Sequence, residues 1–195
     1  CRRRNCVIVN KYESKFFMKK FLIIICIVFF CVSIFPGYVY AANNGKWFNP
    51  KYLRTYVQPG HKRTDMMKRA FAEWSRLTNN KFKFYFVNSP NVAQIEVYFV
   101  QSIPNADREI GLTRVRNMRN GKMTHAEILI AEKSSKGRVL GNDSVYTVML
   151  HEIGHSIGIK EHSDEPLSIM YPIENDAQEI LKSDLKKLYG IYGWD

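Results

Sequence analysis

Residues 151–162 read HEIGHSIGIKEH, and this segment constrains the fold more than any other because it fixes the spacing of several potential metal ligands. In a helix, His151 and His155 stand one turn apart on the same face, with about 5–6 Å between their Cβ atoms, so both imidazoles can reach one ion. Glu152 is rotated by about 100° from His151, which places its carboxylate beside the ion and outside the coordination shell. Two imidazoles with an adjacent carboxylate predict a zinc site with a general base.

The flanking residues predict a helix that ends just after the second histidine. Asn142, Asp143 and Ser144 are candidate N-cap residues. Apolar residues then recur at every fourth position, on a face roughly opposite the histidines: Val145, Met149, Ile153 and Ile157. Gly158 can adopt positive φ and turn the chain back, so His162 can return as a third nitrogen ligand.

The same segment resembles the signature of the metzincin zinc peptidases, and among them the matrixins, whose pattern is H-E-x-x-H-x-x-G-x-x-H followed by a turn containing methionine. His151, Glu152, His155 and Gly158 match, whereas Glu161 occupies the position of the third histidine and His162 follows one residue later. Downstream, residues 162–163 (H-S) and 170–172 (M-Y-P) match matrixin segments in about their usual spacing when counted from His162. We therefore interpret the segment as carrying one inserted residue, with His162 as the ligand; the alternative is that Glu161 completes the site, as carboxylates can.

The resemblance implies an α+β fold, in which a mixed, mostly parallel, twisted sheet with an antiparallel edge strand packs on an N-terminal helix and the active-site helix, with a further C-terminal helix. It implies one catalytic Zn²⁺ bound by His151, His155 and His162, Glu152 as the general base, and Met170 as an apolar floor beneath the metal without a bond to it. It also implies an endopeptidase that binds protein substrates in extended form. Calcium sites occur in the family, although no acidic loop of this chain has a recognisable calcium pattern.

The order of elements extends the resemblance over most of residues 46–193. We predict a strand at 52–57, a helix capped by Thr64 or Asp65, strands at 81–87 and 94–100, a loop at 102–122, and a strand at 123–131. The resemblance implies that the strand at 123–131 is the edge of the sheet that lines the cleft. A final helix is expected after Ser183. Phe82, Phe84 and Phe86 should share one face of their strand, and His61 and His125 are expected to be surface or structural residues.

The first 41 residues have the pattern of a leader. Met18, a candidate start, is followed by two lysines, an apolar run at 21–35 and a small-residue ending at Ala41, which is typical of a secretory signal peptide. We predict cleavage near Ala41, a secreted catalytic domain at residues 42–195, and a leader of upstream residues plus signal peptide at 1–41. The alternative is an uncleaved membrane anchor formed by residues 21–42.

The positions of the cysteines and the net charge bear on disulfide bonding and on nucleic-acid binding. All four cysteines lie at or before position 31, so no disulfide is expected in residues 42–195. The chain has 29 basic and 18 acidic residues, of which seven basic residues and one acidic residue lie in the first 41 positions. The remaining 22 basic and 17 acidic residues give a formal net charge of +5 after Ala41. No nucleic-acid-binding motif accompanies this charge. We expect a monomer without stable membrane association once the leader is removed.

Two other functions are compatible with these patterns. One is a catalytically inactive zinc-binding module that holds a peptide in its cleft, although such a module would have no use for the carboxylate of Glu152. The other is a membrane-tethered accessory protein that retains its leader.

Overall fold

The structure is a computed structural model that describes residues 45–103, 109–116, 120–134 and 136–194. The predicted signal peptide, its cleavage site near Ala41 and the alternative anchor lie outside the described residues. Within them, no helix is both long and apolar enough to cross a bilayer.

Three helices and seven strands form the described domain. The helices are α1 (Thr64–Leu77), α2 (Asn142–Ser156) and α3 (Lys182–Tyr192). The strands are β1 (Lys46–Trp47), β2 (Leu53–Val57), β3 (Phe84–Phe86), β4 (Ile95–Val100), β5 (Gly111–Arg116), β6 (Lys122–Met123) and β7 (His125–Ala131). A short 3₁₀ turn, Pro90–Val92, precedes β4.

The main sheet has the strand order β3-β2-β4-β7-β5. The first four strands are parallel, and β5 pairs antiparallel with β7 at one edge. Strands β1 and β6 form a separate two-stranded parallel pair. A mostly parallel sheet with one antiparallel edge strand is the predicted fold class, which is confirmed.

The position of the edge strand differs from the prediction. The residues predicted to form the edge, 123–131, include β7, which lies inside the sheet between β4 and β5. The edge strand beyond β7 is Gly111–Arg116, within the segment predicted to be a loop. Its inward-facing positions begin with Gly111 and Thr113, so the alternation of large apolar residues that marks an ordinary half-buried strand is missing.

Helix α1 supplies much of the core through the face that its sequence predicted. Met67, Ala70, Phe71 and Trp74 are buried against the sheet and α2. The indole Nε1–H of Trp74 donates to the backbone oxygen of Leu150 at 2.9 Å. This bond ties α1 to the middle of α2.

The predicted N-caps are wrong for all three helices. The residues at the N-cap positions are Arg63, Gly141 and Leu181. The predicted N-cap residues are Thr64 or Asp65 for α1, Asn142, Asp143 or Ser144 for α2, and Ser183 for α3. None of them occupies the N-cap position of its helix. Thr64 instead donates to the oxygen of Gln58, and Ser144 to the carboxylate of Asp176. At α3, the Asp184 carboxylate accepts the N–H of Leu181 at 2.9 Å. The bond of Ser144 is a long-range contact that no local pattern reveals, whereas that of Asp184 is local to its helix.

The aromatic strand is shorter than predicted. Only Phe84–Phe86 forms a strand, while Phe82 precedes it and is fully buried against the rings of Tyr192 and Trp194. Phe86 is 43% exposed, because it lies at the outer strand of the sheet. Phe84 and Phe86 nevertheless lie on one face of the strand, as the predicted alternation requires, since both rings contact Phe71 of α1.

Candidate metal centre

Helix α2 turns its apolar side to the core and its histidines to a cleft. Val145, Met149 and Ile153 are fully buried, whereas His151 and His155 are only half-buried. The predicted spacing of the apolar face is therefore found in the structure, and the two imidazoles stand on the side of the helix that solvent can reach.

His162 joins these two histidines from the loop that follows α2. Potential ligand atoms of the three residues all lie within 4.8 Å of one another. The ring centroids are 4.6 Å apart for His151 and His155, 5.2 Å for His151 and His162, and 5.1 Å for His155 and His162. Three imidazoles at one point form the donor set of a catalytic zinc site, which leaves a fourth position open.

Backbone carbonyls fix the tautomers of the two helical histidines. Nδ1 of His151 lies 2.7 Å from the oxygen of Ile169, and Nδ1 of His155 lies 2.6 Å from the oxygen of Ile159. A carbonyl can only accept, so each Nδ1 carries the proton and each Nε2 keeps a lone pair. A hydrogen bond donated by the ring nitrogen that does not bind the metal is what orients metal-binding imidazoles in proteins.

The protonation state of the cluster also suits a cation. Burial lowers the pKa of His151 to about 4, with a smaller contribution from the neighbouring His155. Burial likewise lowers the pKa of His155 and of His162 below the usual histidine value. Neutral imidazole is the form that binds metal, so the residues present fit a zinc ion.

Gly158 makes the return of the chain possible. Its φ is +120°, in the region that disfavours side chains, and a methyl group on it would lie 2.7 Å from the backbone oxygen of Gly45. Both the predicted positive φ and a close backbone approach therefore require glycine here. The loop then reaches Ser163, whose N–H donates to the oxygen of Met170 at 2.8 Å.

Glu161 points away from the histidines. Its side chain is 64% exposed, and its carboxylate lies 3.6 Å from Nζ of Lys187. In the described part of the chain, the group of side chains that could hold an ion contains His162 and not Glu161. The geometry thus favours His162 over the alternative, although the identity of the third ligand stays a prediction.

Glu152 lies beside the cluster and is almost completely buried, with 6% of its surface exposed. Its Oε2 accepts a hydrogen bond from the Thr113 hydroxyl at 2.6 Å. Burial raises the pKa of Glu152 to about 7, and the bond from Thr113 partly offsets this rise. A carboxyl group that titrates near neutral pH can both take and return a proton.

Met170 packs beneath the histidine helix. It is fully buried, and a methyl group added to Gly154 would collide with its sulfur. Its N–H donates to the hydroxyl oxygen of Ser168 at 2.9 Å, and that hydroxyl donates to Asp184 at 2.6 Å. The turn is therefore anchored to α3, and it holds the Ile169 carbonyl that orients His151.

A cleft of about 990 Å³ opens over the cluster. Strand β5 and α2 form its walls, and the residues after Met170 close one end, with Tyr171, Pro172 and Ile173 among the lining. This volume is at the upper end of the range of small-molecule and cofactor pockets, about 300–1,000 Å³.

The remaining histidines lie elsewhere, as expected. His61 Nε2 is 2.6 Å from the Glu132 carboxylate, and His125 Nε2 is 2.9 Å from that of Glu96. Neither belongs to a cluster that could hold a metal among the described residues. Sequence reasoning missed Gly111 and Thr113, because no motif marks a residue whose role is to touch Glu152.

Comparison with known proteins places this geometry in a family. The model of the matrixin family matches residues 51–193. The structure of myroilysin is similar, with a TM-score of 0.52, 14% sequence identity, and coverage of 77% of this chain and 96% of that chain. The crystal structure of a Wss1 mutant from Saccharomyces cerevisiae matches at 16% identity over 74% of this chain and 90% of that chain, but its TM-score of 0.30 is too low to indicate a shared fold. No curated protein matches the sequence.

Proposed function

Since this chain belongs to the matrixin family of zinc-dependent peptidases, we propose that it is a secreted endopeptidase that hydrolyses peptide bonds in extended segments of protein substrates. One observation carries the proposal: three imidazoles converge beside a buried carboxylate in the lining of an open cleft. We propose His151, His155 and His162 as the zinc ligands.

A zinc ion bound by these residues would supply Lewis acidity to the scissile carbonyl and lower the pKa of a coordinated water. Glu152 then acts as the general base, taking a proton from the attacking water and giving it to the leaving amine. Met170 takes no part in the proton transfer and supports the turn of α2 that carries the histidines.

Strand β5 is the proposed docking surface for the substrate. It is the last strand of its sheet on this side, and Gly111, Leu112 and Thr113 of this strand line the cleft. An extended peptide can add to such an edge as a further strand, with main-chain hydrogen bonds that require no particular sequence. We propose that a peptide bound in this way has its scissile bond over the histidine cluster.

The proposed location follows from the sequence pattern of residues 1–41. We propose export with cleavage near Ala41, a monomeric secreted domain without stable membrane association, and no nucleic-acid partner. N-terminal sequencing of the protein recovered from the producing cells tests this proposal. Retention of residues 21–42 would instead support the membrane-anchored alternative.

The activity is tested with casein or a quenched fluorogenic peptide. We expect Glu152→Gln to lower kcat by about 10²–10⁴-fold, the range for loss of a general base, with bound zinc unchanged. A chelator should abolish cleavage and added zinc should restore it. Glu165→Gln, at an exposed glutamate outside the cleft lining, is the matched control and should retain wild-type activity.

Equal cleavage by wild type, by Glu152→Gln and by chelated protein would refute the proposed peptidase mechanism. Tight zinc binding without any cleavage by the wild type would instead support the inactive zinc-binding module.

A further inference from the structure

We infer that Thr113 is a positioning residue for Glu152, and that β5 is built so that one strand holds both the general base and the substrate. The kinetic part of this inference rests on the proposed function. The contact between Thr113 and Glu152 does not, and it can be tested separately.

The Thr113 hydroxyl has two acceptors on one residue. Its Oγ1 lies 2.6 Å from Oε2 of Glu152 and 2.9 Å from the backbone oxygen of the same residue. A hydroxyl has one proton, so it can donate to only one of them at a time. When Glu152 is ionised, the bond to the carboxylate is charge-assisted and is the stronger of the two. The hydroxyl therefore holds the carboxylate of Glu152 against β5.

Gly111 provides the space for this contact. A methyl group on Gly111 would lie 2.5 Å from Oε1 of Glu152, 2.7 Å from its Cγ and 2.6 Å from Cγ1 of Val148. Such distances are far below van der Waals contact, so no other side chain fits without displacement. Gly111 and Thr113 lie two residues apart on the same face of β5. The face of the strand that meets α2 is thus shaped around Glu152.

Strand β5 is itself held firmly on its inner edge. Thr113 pairs in register with Ile128 of β7, a fully buried residue of the sheet. The position of the Glu152 carboxylate is consequently set by the sheet as well as by helix α2. Residues of β5 also line the cleft, where an extended substrate would pair. One strand therefore sets the distance between the general base and the bond to be cleaved.

The first experiment compares kinetics of Thr113→Val, which keeps the shape and removes the hydroxyl, with Thr113→Ser, which keeps the hydroxyl. We expect Thr113→Val to lower kcat by about 10–100-fold, as is typical when an outer-shell hydrogen bond is lost, with KM within about twofold of wild type and zinc content unchanged. Thr113→Ser should recover kcat to within a few-fold. Thr64→Val, which loses a hydroxyl bond to the Gln58 oxygen outside the cleft, is the matched control and should keep wild-type kcat.

The second experiment measures thermal unfolding of the metal-free protein and requires no activity. We expect the shifts in Tm caused by Thr113→Val and Glu152→Ala to be non-additive in the double variant, because both remove one contact. The shifts of Thr64→Val and Glu152→Ala should add.

Wild-type kcat in Thr113→Val, or additive Tm shifts for Thr113 and Glu152, would overturn the inference. If the wild type cleaves no substrate, the proposed function fails, and additivity in the metal-free protein still decides whether Thr113 holds Glu152.

Discussion

Gly154 offers a sharp test of the packing beneath the histidines. It lies in α2 between His151 and His155, and a methyl group on it would collide with the sulfur of Met170 and lie 3.2 Å from Cζ2 of Trp74. The Trp74 ring cannot move freely, because its Nε1–H is bonded to the helix backbone. Gly154→Ala should therefore displace Met170.

The magnitude follows from two opposing contributions. Replacing glycine by alanine inside a helix favours folding by about 1 kcal/mol, while forcing an extra carbon into a packed core costs about 1–3 kcal/mol. Gly190 in α3 has no atom within 4 Å of the position that an added methyl group would take, so Gly190→Ala should show the first contribution alone. The two variants should then differ by about 1–3 kcal/mol, or about 2–12 °C in Tm for a domain of this size.

Thermal unfolding of both metal-free variants measures this difference, and removal of zinc keeps ligand binding from contributing to Tm. We expect Gly190→Ala to unfold at a higher temperature than wild type and Gly154→Ala well below Gly190→Ala. Gly154→Ala should also bind zinc more weakly, because Met170 follows the Ile169 carbonyl that orients His151. Equal increases in Tm for the two variants would refute the argument from packing.

Three further outcomes are expected. His162→Ala should lose most bound zinc while Glu161→Ala retains it, as measured by metal analysis after dialysis; the reverse pattern would make the carboxylate the third ligand. Trp74→Phe should lower the free energy of unfolding in urea by about 1–3 kcal/mol, because it leaves a buried carbonyl of α2 without its indole donor, and an unchanged urea midpoint would contradict this. Burial raises the pKa of Glu152 from 4.5 to about 7, so in metal-free protein its contribution to stability falls as pH rises across that window, and Glu152→Gln should stabilise more at about pH 8 than at about pH 5. Burial lowers the pKa of His151 from 6.5 to about 4, so the stability that neutral His151 contributes above pH 6.5 is lost as the pH falls toward about 4. In the wild type, protonation of Glu152 partly offsets this loss. Without that offset, the urea midpoint of Glu152→Gln should fall more steeply on acidification than that of the wild type.

The structure of the metal-site segment could be predicted from the sequence because it depends on residues close together in the chain. The four-residue spacing of His151 and His155, the apolar face of α2 and the positive φ of Gly158 all follow from helical periodicity and backbone sterics. The buried face of α1 was predictable for the same reason. These features depend on neighbours within a few turns of the chain.

The edge strand could not be predicted from the sequence, because a strand is an edge only when no other strand pairs with one of its sides. Strand β5 is recognisable only through its pairing with β7. Its inner face carries Gly111 and Thr113 in place of large apolar residues, since that face meets Glu152. The alternation that normally indicates a strand is absent for this structural reason.

The sequence by itself determined the family pattern, the helix that carries two histidines and a carboxylate, and the turn that follows them. The tertiary structure decided which side chain joins them, with His162 brought to the cluster and Glu161 directed to Lys187. It also decided the surroundings of Glu152, whose partner Thr113 is 39 residues away in the chain. Helical periodicity acts over a few residues, whereas burial and pairing across a sheet depend on segments that meet only when the chain has folded.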